Sequence, residues 1–118
     1  MPEMRTYLHC RTEIIDGAAV LHFEGEVDMG SVHAFIRALT AAFRDGGPVI
    51  VDLGAVRHLD SAGLHVLEDH ARDHPSRLVV VSSRDEMSRL FDILELTGVI
   101  RVVTTVQAAR EYFDAAPR

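Results

Sequence analysis

Apolar and polar residues alternate from Thr6 to Ile15, with Leu8, Cys10 and Ile14 on one face and His9, Arg11 and Glu13 on the other, as in a half-buried strand. A second alternating run, Ala18 to Glu24, turns Ala19, Leu21 and Phe23 toward a core. Asp16-Gly17 separates the two runs, and Asp-Gly between alternating segments predicts a tight hairpin. After Gly25-Glu26-Val27-Asp28 the period changes. Val32, Phe35, Ile36, Leu39, Ala42 and Phe43 recur at helical spacing between Ser31 and Arg44, with Asp28 or Ser31 as the start signal and Asp45-Gly46-Gly47-Pro48 as the stop.

Val49-Ile50-Val51-Asp52-Leu53 is a short, nearly continuous apolar run, which suits a strand covered on both faces in a parallel sheet. A second helix is expected from about Leu64 to His74, with Leu64, Leu67 and Ala71 inward, ending before Pro75. Leu78 to Val81 reads as another buried strand. Ser83 and Glu86 have capping-box spacing ahead of Met87, Leu90, Phe91 and Leu94, which predicts a third helix stopping at Gly98. Ile100 to Thr104 is the expected last strand, and Val106 to Ala115 a final helix with Ala109 and Phe113 inward. The pattern therefore predicts one α/β domain over residues 1–118, with a mixed sheet of about five strands and about four helices. An antiparallel hairpin opens it and the later strands run parallel, through right-handed crossovers.

Composition narrows the function classes. The 118 residues are 47% hydrophobic and 25% charged, a globular balance. A net charge of −6 disfavours nucleic acid, since a phosphate backbone would be repelled on average, and favours a basic protein surface as partner. All 12 basic residues are arginine, so chemistry that needs a lysine ammonium, including the P-loop and Schiff bases, is excluded. Apolar runs are too short to insert in a bilayer. One cysteine, Cys10, and no leader pattern in Met1 to Cys10 point to a reducing, cytoplasmic compartment, with Cys10 expected to act as a small buried hydrophobe.

The stretch with most chemical character is His58-Leu59-Asp60-Ser61-Ala62-Gly63-Leu64, between the third strand and the second helix. Asp52 to Asp60 is expected to lie beyond the strand ends, where open α/β sheets bind ligands. Either Asp60 or Ser61 suits a helix N-cap. The same position offers unpaired backbone N–H groups and the positive end of the helix dipole, so a phosphate on Ser61 could be held there without lysine, with Gly63 leaving room for its approach. Seven histidines raise the question of a metal. His70 and His74 share a helical face but lack a third ligand at a recognised spacing, so no metal and no cofactor are expected. A hydrolase reading of Ser61, His58 and Asp60 fails because neighbours on one short loop do not converge as a triad. A response-regulator receiver would use Asp52 as acceptor, but the chain opens with a hairpin, lacks an acidic pair after its first strand and has no lysine.

Val51-Asp52-Leu53 followed by Leu59-Asp60-Ser61-Ala62-Gly63-Leu64 resembles the signature of the STAS domain, the family of anti-sigma factor antagonists. Gly25-Glu26-Val27-Asp28 is similar to an earlier family motif, and Arg89-Leu90-Phe91 with Leu96-Thr97-Gly98-Val99 to a later one. The resemblance implies a non-enzymatic binding module whose phosphoacceptor is Ser61. It further implies that the unphosphorylated form binds an anti-sigma factor, often itself a serine kinase, and so frees a sigma factor, while a serine phosphatase resets the switch. By the same resemblance Asp28, Met29, Gly30 and Ser31 join His58, Asp60, Ser61, Ala62, Gly63, Leu64 and His65 in the partner-facing surface. Two departures stand out: Ala62 replaces a frequent second hydroxyl, and His58 and His65 flank the motif where apolar or small residues are common. The alternative within the fold is a STAS scaffold, or a module regulating lipids or transporters, in which Ser61 is not phosphorylated.

Overall fold

A computed structural model describes residues 7–83, Arg89, Asp92 and 98–115. Strands β1 (Leu8–Ile15) and β2 (Ala18–Val27) are followed by helix α1 (Val32–Phe43), β3 (Val49–Leu59), helix α2 (Ser61–Asp73), β4 (Leu78–Val81), β5 (Arg101–Val103) and helix α3 (Val106–Ala115). The strands lie in sequence order in one five-stranded sheet, with β1 antiparallel to β2 and every later pair parallel. The helix expected between Ser83 and Gly98 falls outside the described residues except for Arg89 and Asp92, both helical.

The hairpin forms as its Asp-Gly pair dictates. Asp16 and Gly17 both take positive φ, 50° and 83°, the backbone of the two-residue turn whose twist matches the flanking strands. The parallel pairs β2–β3 and β3–β4 each need a crossover, and α1 and α2 supply them on one face of the sheet. There Phe35, Leu39, Leu64 and Leu67 pack on Leu21, Phe23, Val51, Leu53 and Val80. Helix α3 covers the start of the opposite face through Ala109, which joins Ala18, Val20, Ile50, Val79 and Val81. Strands β2, β3 and β4 are therefore dry on both faces at their N-terminal ends, which explains their continuous apolar runs. An ion pair from Arg110 to Asp16 ties α3 back to the hairpin turn.

Three expectations need correction. Strand β3 does not stop at Leu53 but runs to Leu59 beside the second half of β2, so Asp52 is a mid-strand residue and 52–60 is not a loop. The register between β2 and β3 shifts twice, once between His22 and Glu24 and once between Gly25 and Glu26, each time with an extra residue on β3. Two such bulges keep Leu53, Val56 and Leu59 on the buried face at a spacing of three, a pattern that resembles neither strand nor helix. Ile14, expected inward, is 64% exposed, because it lies at the turn end of an edge strand with a neighbour on one side only. Cys10 is half-buried against the first core cluster rather than enclosed; burial still pushes its thiol up, outweighing a contact with Thr12 Oγ1.

The lower end of the sheet is closed by a different device. Arg77 donates from Nε and Nη2 to Gly47 O and from Nη2 to Phe43 O, and places its guanidinium 5.1 Å from the Phe43 ring centroid. Its Nη1 lies 3.0 Å from His74 Nδ1, and His74 in turn stacks on Phe43 with centroids 4.3 Å apart. His70 stacks on the same ring at 5.4 Å. Packing thus accounts for the histidine pair on this helix face.

Candidate functional site

The carboxyl ends of β2 and β3 meet at one corner of the domain. Val27 pairs with Leu59, and the Asp60 N–H donates to Val27 O at 3.0 Å, so the chain leaves both strands side by side. Asp28 to Ser31 and Asp60 to Ser61 are neighbours for that reason.

The first of these segments is tied to itself. Asp28 Oδ1 accepts from the Gly30 N–H at 2.9 Å, the Ser31 hydroxyl donates to Glu26 O at 2.7 Å, and the Asp28 N–H donates to Ser31 Oγ at 3.1 Å. Ser31 is buried in this role and makes no side-chain cap of α1, so the start signal works through a closed turn rather than an N-cap hydrogen bond. Between these ties Met29 is left 79% exposed, the most exposed large hydrophobic residue among those described.

The second segment separates two roles that the sequence leaves joined. Asp60 is the N-cap of α2: its backbone is extended and its Oδ1 accepts from the Gly63 N–H at 3.2 Å. Ser61 is the first helical residue, exposed, and its hydroxyl has no hydrogen-bond partner among the described residues. The N–H groups of Ser61 and Ala62 lie in the first turn, where no intrahelical acceptor exists.

Gly63 and Leu64 turn inward. A Cβ on Gly63 would sit 2.5 Å from Leu59 Cδ1 and 2.7 Å from Val27 Cγ1, so this glycine lets the helix close onto the strand ends and does not make room for a phosphate. Leu64 is 1% exposed and anchors the same turn. Ala62 is half-buried, while His58 and His65 are exposed on either side of Ser61. The accessible part of the predicted surface is therefore Met29, Gly30, His58, Ser61 and His65, framed by the carboxylates of Asp28 and Asp60.

A second polar group is assembled across three strands. His22 on β2 sits between β1 and β3, with Nε2 2.9 Å from Glu13 Oε2 and Nδ1 2.7 Å from Asp52 Oδ2. Arg11 donates to the same Glu13 oxygen at 2.9 Å and holds this carboxyl below the usual carboxylate range, with the His22 contact adding to the effect. Asp52 Oδ1 also accepts from the Gly54 N–H. An open cavity of about 420 Å³ lies over this group, on the sheet face that α3 leaves uncovered. With both oxygens engaged, Asp52 is a cross-strand tie and not the open carboxylate that a receiver acceptor requires. The alternation of β1 carried the signal; what was missing was the partner strand on which Asp52 lies. Among the described residues no group of three or more His, Cys, Asp or Glu side chains is arranged to hold a metal ion, and no helix is long and apolar enough to cross a membrane.

Residues 9–109 match the family model described as the STAS domain. Among solved structures, an anti-sigma factor antagonist from Mycobacterium paratuberculosis superposes with a TM-score of 0.83 at 26% identity, covering 90% of this chain and 93% of that one. The anti-sigma factor antagonist SpoIIAA in its unphosphorylated form gives 0.69 at 17% identity, over 92% of this chain and 100% of the other. The Bacillus cell fate determinant SpoIIAA in its phosphorylated form gives 0.66 at 17% identity, over 88% and 99%. The last two show a shared fold. No curated protein matches the chain.

Proposed function

Since this chain belongs to the STAS domain family, we propose that it is an anti-sigma factor antagonist switched by phosphorylation of Ser61. The observation that carries the reading is the division of labour at α2: Asp60 takes the cap, and the exposed Ser61 hydroxyl is left uncommitted. A kinase would transfer the γ-phosphoryl of ATP to Ser61 Oγ, with the hydroxyl proton lost and ADP released; a phosphatase would return the hydroxyl by hydrolysis. First-turn N–H groups without an intrahelical acceptor would receive the phosphate.

In the unphosphorylated form the exposed apolar Met29 and the exposed Ser61 hydroxyl lie on the two segments that leave β2 and β3 at one corner, a surface suited to a partner with a matching apolar and basic face. Phosphorylation adds about −1.5 to −2 charges next to Asp60 and Asp28. One desolvated like-charge contact costs several kcal/mol, whereas tenfold weaker binding requires about 1.4 kcal/mol. Local repulsion is sufficient, and no rearrangement of the sheet is needed. The anti-sigma factor, its kinase activity and the phosphatase belong to this proposal.

Intact-mass measurement after incubation with ATP and candidate anti-sigma factor kinases tests it. The expected result is one added phosphate on the wild type and none on Ser61→Ala, with Ser61→Asp binding the anti-sigma factor at least about tenfold more weakly. Binding without any added phosphate, or with Ser61→Asp unchanged, would reject the switch and favour a scaffold.

A further inference from the structure

We propose that His65 is the counter-charge for phosphate on Ser61. The inference rests on the phosphorylation reading and deepens it. Residues four apart on a helix face one another at about 5–6 Å between Cβ atoms, and a negative group N-terminal to a cation is the favourable order. Ser61 and His65 have that spacing on α2, both exposed, and His65 has no hydrogen bond or ion pair among the described residues.

The other cations near in sequence are committed. The chain has no lysine, and Arg57 at the end of β3 is paired with Glu26 at 3.3 Å. One turn further along the helix, Arg72 is taken by Glu68 at 3.3 Å. Charged groups around the acceptor are the carboxylates of Asp28 and Asp60, each already accepting a backbone N–H, and the exposed His58. On its far side His65 has Glu68 at i+3, paired with Arg72, and Asp69 at the next i,i+4 position, which has no ion pair among the described residues. A phosphate offers His65 a dianion where Asp69 offers a single charge in the less favourable order. His65 lies past the first turn, where the helix dipole that would oppose a cation has fallen away.

The first-turn N–H groups therefore hold the phosphate at one side and the imidazolium at the other, offsetting the repulsion from Asp60 and Asp28. Protonated His65 favours the phosphate dianion.

The test uses the full chain with phosphoserine installed at position 61 by genetic-code expansion, so that its outcome does not depend on any kinase. Phosphorus NMR follows the second ionisation of the phosphate, near pH 6 for free phosphoserine. The midpoint is expected to lie lower in the wild type than in His65→Gln by about 0.3 pH unit or more, a twofold change in the ionisation constant. His58→Gln reports the share of the other exposed imidazole near the acceptor and is expected to move the midpoint less than His65→Gln does. Equal midpoints in wild type and His65→Gln, or a larger change with His58→Gln than with His65→Gln, would overturn the role of His65. Failure of kinases to phosphorylate the natural Ser61 would count against the switch alone.

Discussion

Adding a single methyl at Gly63 tests how α2 is seated. The alanine Cβ would lie 2.5 Å from Leu59 Cδ1 and 2.7 Å from Val27 Cγ1, about 1 Å inside the 3.5–4.0 Å optimum for carbon pairs. Neither neighbour can withdraw cheaply. Val27 is fully buried and β-branched, hence stiff at χ1, and Leu59 is 4% exposed; both are fixed by the β2–β3 ladder. Overpacking of this kind costs about 1–3 kcal/mol. Against it stands the helix preference for alanine over glycine, about 0.5–1 kcal/mol and reduced in the first turn. The clash wins, and Gly63→Ala is expected to lose about 1–2 kcal/mol, lowering the melting temperature by about 3–8 °C in a domain of this size. Urea unfolding should show a lower midpoint at unchanged slope. Gly98→Ala, where a Cβ meets nothing within 4 Å, is the control and should stay within about 0.5 kcal/mol. A Gly63→Ala protein as stable as the wild type would refute the argument that this glycine exists for packing.

Asp60→Ala should lose the cap to Gly63 and about 1 kcal/mol in a thermal melt, while Asp60→Asn retains most of it. Arg77→Lys should destabilise by about 1.5–3 kcal/mol in urea, because an ammonium cannot serve Gly47 O, Phe43 O and His74 at once and loses the face of Phe43. Glu13, depressed chiefly by its hydrogen bond from Arg11, contributes stability above its unfolded titration that is lost as pH falls through the lower folded value. Stability measured from about pH 5 down to about pH 3 should therefore fall less steeply in Arg11→Ala than in the wild type.

Local signals were strong where one force dominated. The Asp16-Gly17 turn, the α1 stripe of Phe35, Leu39 and Phe43, and the dry starts of β3 and β4 each follow from a period or a backbone preference that needs no neighbour. The second half of β3 was illegible because its bulges are set by pairing with β2, and pairing is not written in either segment alone. The candidate site shows the same division. The motif pointed to Asp60 and Ser61 together, but only the fold could decide between two adjacent cap residues, giving Asp60 the cap and leaving Ser61 exposed as the first helical residue. Leu64 and Gly63 belong to the motif by sequence and to the core by burial. The cross-strand set of Glu13, His22 and Asp52 was hidden because its members come from three strands.

The closed turn from Asp28 to Ser31 has a thermodynamic consequence for whatever docks beside it. Its hydrogen bonds are already made within the free protein, so association does not have to order this backbone, which otherwise costs about 1–2 kcal/mol per residue. Met29 is then presented on a preformed support, and a partner that docked there would meet a finished surface. Binding at this corner should proceed as rigid-body docking, with an association rate governed by encounter and charge, and with affinity differences between partners appearing in how long they stay.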